Sequence, residues 1–359
     1  MYCDFYSTPN REDVIPRFVK AIITEIEHCE VDPSNWKIDT IFLGGGTPSL
    51  LESKYIESIL ETIQIKYNLS SVTEFTIEAN PGEAPKDRLK EFRNLGINRL
   101  SIGVQSLEPN LLKFLTRIHT VGQVFETYDN ARSIGFDNVN FDLIYSIPDQ
   151  SWEIWERDIN QIIDLEPNHI SAYTLTLEKG TDLFKLVKDK KLKMPENQMT
   201  GEWFLKTHQL MESNGYPSYE ISNFSKPGFE CRHNLHYWKI HPYLAFGPSA
   251  HGFDGKKRWN NSRSLDLFLQ QIESRGSAIS ITETLTKKDK LNELIGFGLR
   301  MNDGIDLQKI PEKFLVQFEK NFKIIEKKWE GCFIKNRNSI SLTKTGMVYG
   351  DAIGMDLMF

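Results

Sequence analysis

The sequence has few cysteines, no long apolar run and no excess of positive charge. Four cysteines in 359 residues, Cys3, Cys29, Cys231 and Cys332, are too sparse for a disulfide scaffold. No stretch approaches the roughly 20 consecutive apolar residues of a membrane-spanning helix. Residues Met1 to Val14 lack the basic start and apolar core of a secretory signal, so the expected compartment is the reducing cytoplasm. Lys and Arg number 43 against 49 Asp and Glu, a net charge of −6, which speaks against nucleic-acid binding through a broad basic surface. What is present is an ordinary globular composition, and a chain this long can bury a large core. One barrel with an appended module fits it better than many small domains.

The first 180 residues repeat one pattern: a short apolar or β-branched run, a polar or glycine-bearing turn, then an amphipathic helix. Strands are expected at Asp39–Leu43, Glu74–Glu78, Arg99–Gly103, Asn138–Leu143 and His169–Leu175. Apolar stripes at helical spacing separate them, such as Ile56, Ile59, Leu60 and Ile63, or Trp155, Ile159, Ile162 and Ile163. A further helix carries Val14, Phe18, Val19, Ile22, Ile23 and Ile26, with Pro16 tolerable in its first turn. Strands alternating with helices imply an α/β fold with a parallel sheet, open or closed into a barrel. No strand precedes that opening helix, which suggests either a sheet built from later strands or a first strand missing from this chain.

Beyond Gly180 the character changes. Lys185–Lys193 reads as a solvated helix face and loop, and a helix is expected around Thr200–Asn214. Tyr216–Trp259 reads as an aromatic, polar loop region. Helices near Lys287–Arg300 and Lys313–Trp329 precede a strand pair, Cys332–Lys335 and Ser339–Thr343, in the manner of a helical module with a wing. The expected organisation is a barrel over 1–180, its completion over 181–265 and a mainly helical, winged-helix-like domain over 266–359. A wing does not imply DNA binding, and the mixed charges favour a packing role.

Gly44-Gly45-Gly46-Thr47-Pro48 follows a strand and is expected to open a helix, letting backbone amides approach a polar or anionic ligand. It is neither a phosphate loop nor a G-x-G-x-x-G turn. A tight structural turn is the bland alternative. Glu78, Gln105 and Asp142 stand at the ends of the next three strands, where parallel β/α folds bind ligands. Glu78 and Asp142 can accept from an amino group or ribose hydroxyls, Gln105 can donate and accept, and Arg117 can pair with a carboxylate. Singly each could be an element-end cap; together they describe one site.

Cys3-Asp4-Phe5-Tyr6-Ser7, the GGGTPSLL segment, Ile77–Gly82, Ser101–Ser106 and Asn140–Pro148 resemble the radical S-adenosylmethionine (SAM) family over essentially the whole chain. The resemblance is to the branch of oxygen-independent coproporphyrinogen III oxidases and HemW-like heme chaperones. It implies a partial (β/α)6 TIM-like barrel with a C-terminal helical domain, a [4Fe-4S] cluster and SAM. Carried over by motif, Gly45, Gly46, Thr47, Glu78, Gln105, Arg117 and Asp142 are the implied SAM contacts. An H-N-x-x-Y-W motif, His233-Asn234-Leu235-His236-Tyr237-Trp238, and Phe5 in place of a further cysteine resemble the chaperones rather than the oxidases. Imidazole can ligate heme iron and aromatic rings can flank a porphyrin, so His233 is a candidate heme ligand. Alternatives are a backbone-bonded His233, a core Trp238, or a zinc site from Cys231, His233 and His236, whose spacing is unlike common zinc modules.

The chain departs from the family at the cluster. Radical SAM chemistry needs three thiolates spaced C-x3-C-x2-C, leaving one iron to chelate SAM for reductive cleavage to a 5′-deoxyadenosyl radical. Only the last of these is present, as Cys3; the other two would precede Met1. A natural start upstream of Met1 is expected, and a family member that has lost its cluster is the alternative. The expected function is delivery of heme to an unidentified hemoprotein. Coproporphyrinogen III dehydrogenation and a cluster-less heme scaffold are the rivals.

Overall fold

The computed structural model describes Tyr2 and residues 11–359; Cys3 lies outside the described residues. The chain divides into two compact units. The first comprises residues up to Pro195 together with Leu244–Gly252 and Trp259–Thr282; the second comprises Glu196–Tyr243, Phe253–Arg258 and Glu283–Phe359.

In the first unit, β1 (Thr40–Leu43), β2 (Glu74–Ala79), β3 (Arg99–Gln105), β4 (Asn138–Tyr145) and β5 (His169–Thr174) lie side by side in chain order. Every neighbouring pair is parallel. The expected strands therefore form, and parallel pairing follows from the helices returning the chain between them. These helices are α2 (Ser53–Lys66), α3 (Lys86–Asn94), α4 (Pro109–Phe114), α5 (Val121–Ser133) and α6 (Trp152–Asp164), preceded by α1 (Ile15–His28). Ile77, Leu100, Ile102, Val139, Phe141, Leu143 and Ile170 are fully buried. Such strands read as near-continuous apolar runs because both faces of a parallel sheet are covered. A separate apolar cluster joins Val19, Ile22 and Ile26 of α1 to Ile59 of α2 and to Phe268, Leu269 and Ile272.

Short helix α7 (Asp182–Lys188) ends this stretch, and α8 (Asn197–Ser213) opens the second unit. The region Tyr216–Trp259, expected as loop, carries structure: β6 (Asn223–Ser225), α9 (Arg232–Trp238), β7 (His251–Phe253) and the start of β8 (Lys257–Asn261). Thus His233-Asn234-Leu235-His236-Tyr237-Trp238 sits on a helix. Further along lie α10 (Leu265–Arg275), β9 (Ile279–Thr284), α11 (Lys287–Gly298), β10 (Ile305–Asp306) and α12 (Glu312–Lys328). The chain closes with β11 (Phe333–Lys335), β12 (Ser339–Leu342), α13 (Lys344–Val348) and α14 (Gly350–Leu357).

The wing forms as expected: β12 pairs antiparallel with β11 and also with β10. Its inner residues Ile340 and Leu342 join a core with Leu291, Ile295, Phe318, Phe322, Ile325 and Ile353. One face of the wing is thereby packed on the core, while Ile334 of β11 is exposed.

Candidate functional site

The expected ligand contacts of the first unit gather at the carboxyl ends of β1–β4. Gly44 follows β1 directly, and only glycine fits there. A Cβ at this position would lie 2.5 Å from Cε1 of Phe42 and 2.9 Å from the Glu78 carboxyl carbon. Gly45, at φ +101°, turns the chain so that its N–H donates to Glu78 Oε2 at 2.9 Å. Around Gly45 and Gly46 the space where a side chain would stand is open. The segment does not open an α-helix as expected. Pro48–Leu50 forms a single 3-10 turn and α2 begins only at Ser53, so the loop presents turn amides and not a helix N-terminus.

Glu78 sits at the end of β2, paired in register with Ser101 of β3. Burial pushes its carboxyl up to about 7, the nearby charge of Asp142 adds to this, and the Gly45 N–H and Arg99 oppose it. Asp142 is held on both oxygens: Ser101 Oγ donates to Oδ2 at 2.9 Å and Asn140 Nδ2 donates to Oδ1 at 2.9 Å. Asn140 also donates to Ser101 Oγ at 2.8 Å and meets His169 Nδ1 at 2.6 Å. His169 is fully buried, with its pKa lowered well below the ordinary range by burial and then by Arg99. These residues share one face because Ser101, Asn140 and His169 are register partners across β3, β4 and β5.

Gln105 ends β3 at φ +70°, a left-handed conformation uncommon for a non-glycine residue. The β3–β4 register shifts between Gly103 and Gln105, so a bulge re-aims the Gln105 side chain. Behind it, Ser106 Oγ and the Leu107 N–H donate to Asp158 Oδ2 at 2.6 and 2.8 Å. Arg117 comes from the segment after α4, and its Nη2 donates to Gly103 O at 2.6 Å and to Asn80 Oδ1. Asn80 in turn donates to Thr47 Oγ1 at 3.1 Å and Glu83 Oε2 at 2.8 Å. Asn80 therefore joins the glycine loop to Arg117. It was missed from sequence although it stands two residues after Glu78, as were Asn140, Asp158 and His169.

In the second unit, α9 carries His233 and Tyr237 one turn apart. His233 Nε2 lies 2.9 Å from the Tyr237 hydroxyl, with the rings edge-on at 86°. Burial pushes the Tyr237 phenol up to about 12. Trp238 packs on Phe297, and the Arg300 guanidinium lies 4.8 Å from its ring centroid. His236 Nδ1 and His241 Nδ1 are 2.9 Å apart. No group of three or more His, Cys, Asp or Glu suited to a metal occurs among the described residues, so Cys231, His233 and His236 do not assemble as the zinc alternative requires.

The radical SAM superfamily profile matches residues 1–162, and the HemN C-terminal domain profile matches residues 285–349. The heme chaperone HemW of Lactococcus lactis subsp. lactis is 31% identical over 354 residues, covering 98% of this chain and 92% of its own. HemW of Bacillus subtilis is 30% identical over 355 residues, with 98% and 94% coverage. A mitochondrial protein of Danio rerio, radical S-adenosyl methionine domain-containing protein 1, is 34% identical over 365 residues, with 98% and 82% coverage. The chain belongs to the radical SAM superfamily, in its HemW branch. The solved structure of Escherichia coli coproporphyrinogen III oxidase, HemN, has a TM-score of 0.83 at 22% identity, covering 99% of this chain and 86% of that one. At that identity the likeness establishes a shared fold.

Membership of the radical SAM superfamily implies SAM and a [4Fe-4S] cluster. The described residues fit the first of these. An open glycine loop, a buried carboxyl, an amide side chain carried on a left-handed backbone and an arginine match the hydroxyl, amino and carboxylate groups of SAM. They do not fit the cluster. Cys231 and Cys332 are buried and Cys29 is half-buried, and no metal-ligating group of three forms among the described residues. Cys3, the candidate cluster ligand, lies outside the described residues.

Proposed function

We propose that this protein is a heme chaperone of the HemW branch, which binds heme as cargo and passes it to hemoproteins. The observation that carries the reading is α9, whose His233-Asn234-Leu235-His236-Tyr237-Trp238 sequence presents a half-buried imidazole against the Tyr237 ring. Relatives named heme chaperones align over nearly the whole chain, which supports it. His233 is the proposed iron ligand, since neutral imidazole nitrogen is a common axial ligand of heme. Among the described residues no helix is long and apolar enough to cross a membrane; the proposed site of action is the cytoplasm.

The first unit is read as the SAM site. Gly45, Gly46 and Thr47 line the loop; Glu78 and Asp142 accept hydrogen bonds; Gln105 sets orientation; and Arg117 pairs with the carboxylate. SAM, if bound there, would be the group on which the one-electron bond-cleavage chemistry of the superfamily depends. The residues on the page bind and orient it. Asn140 and Ser101 keep Asp142 in place, and Gly45 does so for Glu78.

The test is hemin titration of the intact protein with and without His233→Ala, followed by transfer from the loaded protein to a heme-free globin. Saturable binding, weakened by the substitution, and transfer to the globin are expected. Decarboxylation of coproporphyrinogen III by the protein under reducing, anaerobic conditions would replace this reading with the oxidase one.

A further inference from the structure

The hydrogen bond between His233 and Tyr237 occupies Nε2, one of the two ring nitrogens through which an imidazole can ligate iron. Nε2 is 2.9 Å from the Tyr237 hydroxyl. If Nε2 accepts, its lone pair is taken by the phenol proton; if it donates, it carries a proton and has no lone pair in the ring plane. In either tautomer the nitrogen cannot ligate a metal while the bond stands. The contact spans one helical turn, i to i+4, so the helix itself holds the two groups together.

Tyr237 is also fixed from its other side. Its ring meets Tyr243 edge-on, at 4.7 Å between centroids and 83° between planes. Tyr243 packs on Phe253 and hydrogen-bonds Arg258. Arg258 is paired at 2.6 Å with Glu293 of α11, both side chains being largely buried. The phenol is therefore braced by an aromatic and ionic chain, and it does not swing away without disturbing that chain.

We propose that Tyr237 is a built-in competitor for His233, so that heme loads only when the Tyr237 hydroxyl gives up Nε2, and heme leaves more readily because the hydroxyl can reclaim it. The inference rests on reading His233 as the iron ligand, through Nε2, and assigns Tyr237 a role against binding. A carrier benefits from such a device. It lowers affinity for the cargo by the value of one hydrogen bond and offers the imidazole a partner during release.

The experiment compares wild type, Tyr237→Phe and His233→Ala as intact proteins, with hemin as the probe. Absorption titration gives affinity and stopped-flow mixing gives association and dissociation rates; circular dichroism monitors the fold. Tyr237→Phe is expected to keep the wild-type heme spectrum and to tighten hemin binding by about five- to tenfold. The gain should appear as faster association, slower dissociation, or both. Weaker binding by Tyr237→Phe would mean that the hydroxyl serves the bound state, and unchanged rates and affinity would mean that it does not compete; either result overturns the proposal while leaving His233 as ligand. A wild-type spectrum and affinity in His233→Ala would remove the ligand reading itself, and the proposal with it. If Tyr237→Phe loses fold, Tyr243→Phe, which removes only the Arg258 anchor of the brace, gives the second arm: faster association supports the proposal and an unchanged rate counts against it.

Discussion

Arg117 and Asn80 are joined by a hydrogen bond from Nη2 to Oδ1, and the same arginine nitrogen donates to the main-chain oxygen of Gly103 at 2.6 Å. The position a Cβ of Gly103 would take is 3.1 Å from each of Arg117 Nη2, Asn80 Oδ1 and Gln105 Nε2. Three polar side chains from three different segments thus converge on a backbone with no side chain in the way. The arginine is oriented before any ligand arrives, which lowers the entropy lost on binding.

Asn80→Ala should therefore loosen Arg117 and Thr47 together. One side chain makes three hydrogen bonds here, and losing the network should weaken SAM binding by about tenfold. Isothermal titration with SAM measures this. An unchanged dissociation constant would mean that Asn80 supports the fold and not the ligand site.

The glycine loop makes a sharper contrast. Gly44→Ala forces a methyl group to within 2.5 Å of the Phe42 ring and 2.9 Å of the Glu78 carboxyl, whereas Gly46→Ala meets nothing within 4 Å. Overpacking of this kind costs about 1–3 kcal/mol. Gly44→Ala should lose that much stability in urea unfolding and displace Glu78, while Gly46→Ala should stay within about 0.5 kcal/mol of wild type. Equal effects of the two would show that the loop adapts freely.

The barrel strands were legible because a buried parallel sheet demands apolar runs, and Ile77, Ile102 and Phe141 stand in such runs immediately before Glu78, the Gly103–Gln105 turn and Asp142. Polar residues ending apolar strands are visible in one dimension. Helix α9 was not legible: at seven residues it is too short to establish a period, and aromatic and imidazole side chains are weak helix formers. The start of α2 was also misplaced, because Pro48 initiates a 3-10 turn as readily as an α-helix. Asn80, Asn140, Asp158 and His169 escaped for a different reason. Each acts through a partner distant in sequence, as His169 does on Asn140, and no spacing rule reports such pairs.

Asp158 is the clearest of these hidden supports. It is fully buried in α6, accepts from Ser106 Oγ and the Leu107 N–H on Oδ2, and accepts from Arg157 on Oδ1 at 2.9 Å. Asp158→Ala leaves a buried hydroxyl and amide without acceptors directly after Gln105, a loss of about 3–5 kcal/mol. Asp158→Asn keeps one acceptor oxygen and should cost less. Chemical denaturation checks both, and a loss below about 1 kcal/mol for the alanine variant would contradict this account.

Glu25 of α1 ties the opening helix to distant chain. The Gly247 N–H donates to its Oε2 at 2.8 Å and Asn261 Nδ2 donates to its Oε1 at 2.5 Å, while Asn261 also donates to Gly247 O at 2.8 Å. Burial pushes the Glu25 carboxyl up to about 7 from an ordinary 4.5, with the two hydrogen bonds opposing the rise. The folded state therefore holds a proton that the unfolded chain releases. That contribution to stability is complete below about pH 4.5 and is lost as pH rises through about 7. Glu78 acts in the same direction over the same range, so Glu25→Gln should remove only one share of the decline. The buried His169, His119 and His208 have lowered pKa values and destabilise the fold on the acid side, but they are common to both proteins and cancel in the comparison. Urea unfolding of wild type and Glu25→Gln at pH 5 and pH 8 should show the variant gaining on wild type as pH rises, by at most about 3 kcal/mol. A constant difference between the two pH values would mean that Glu25 titrates alike in the folded and unfolded chains.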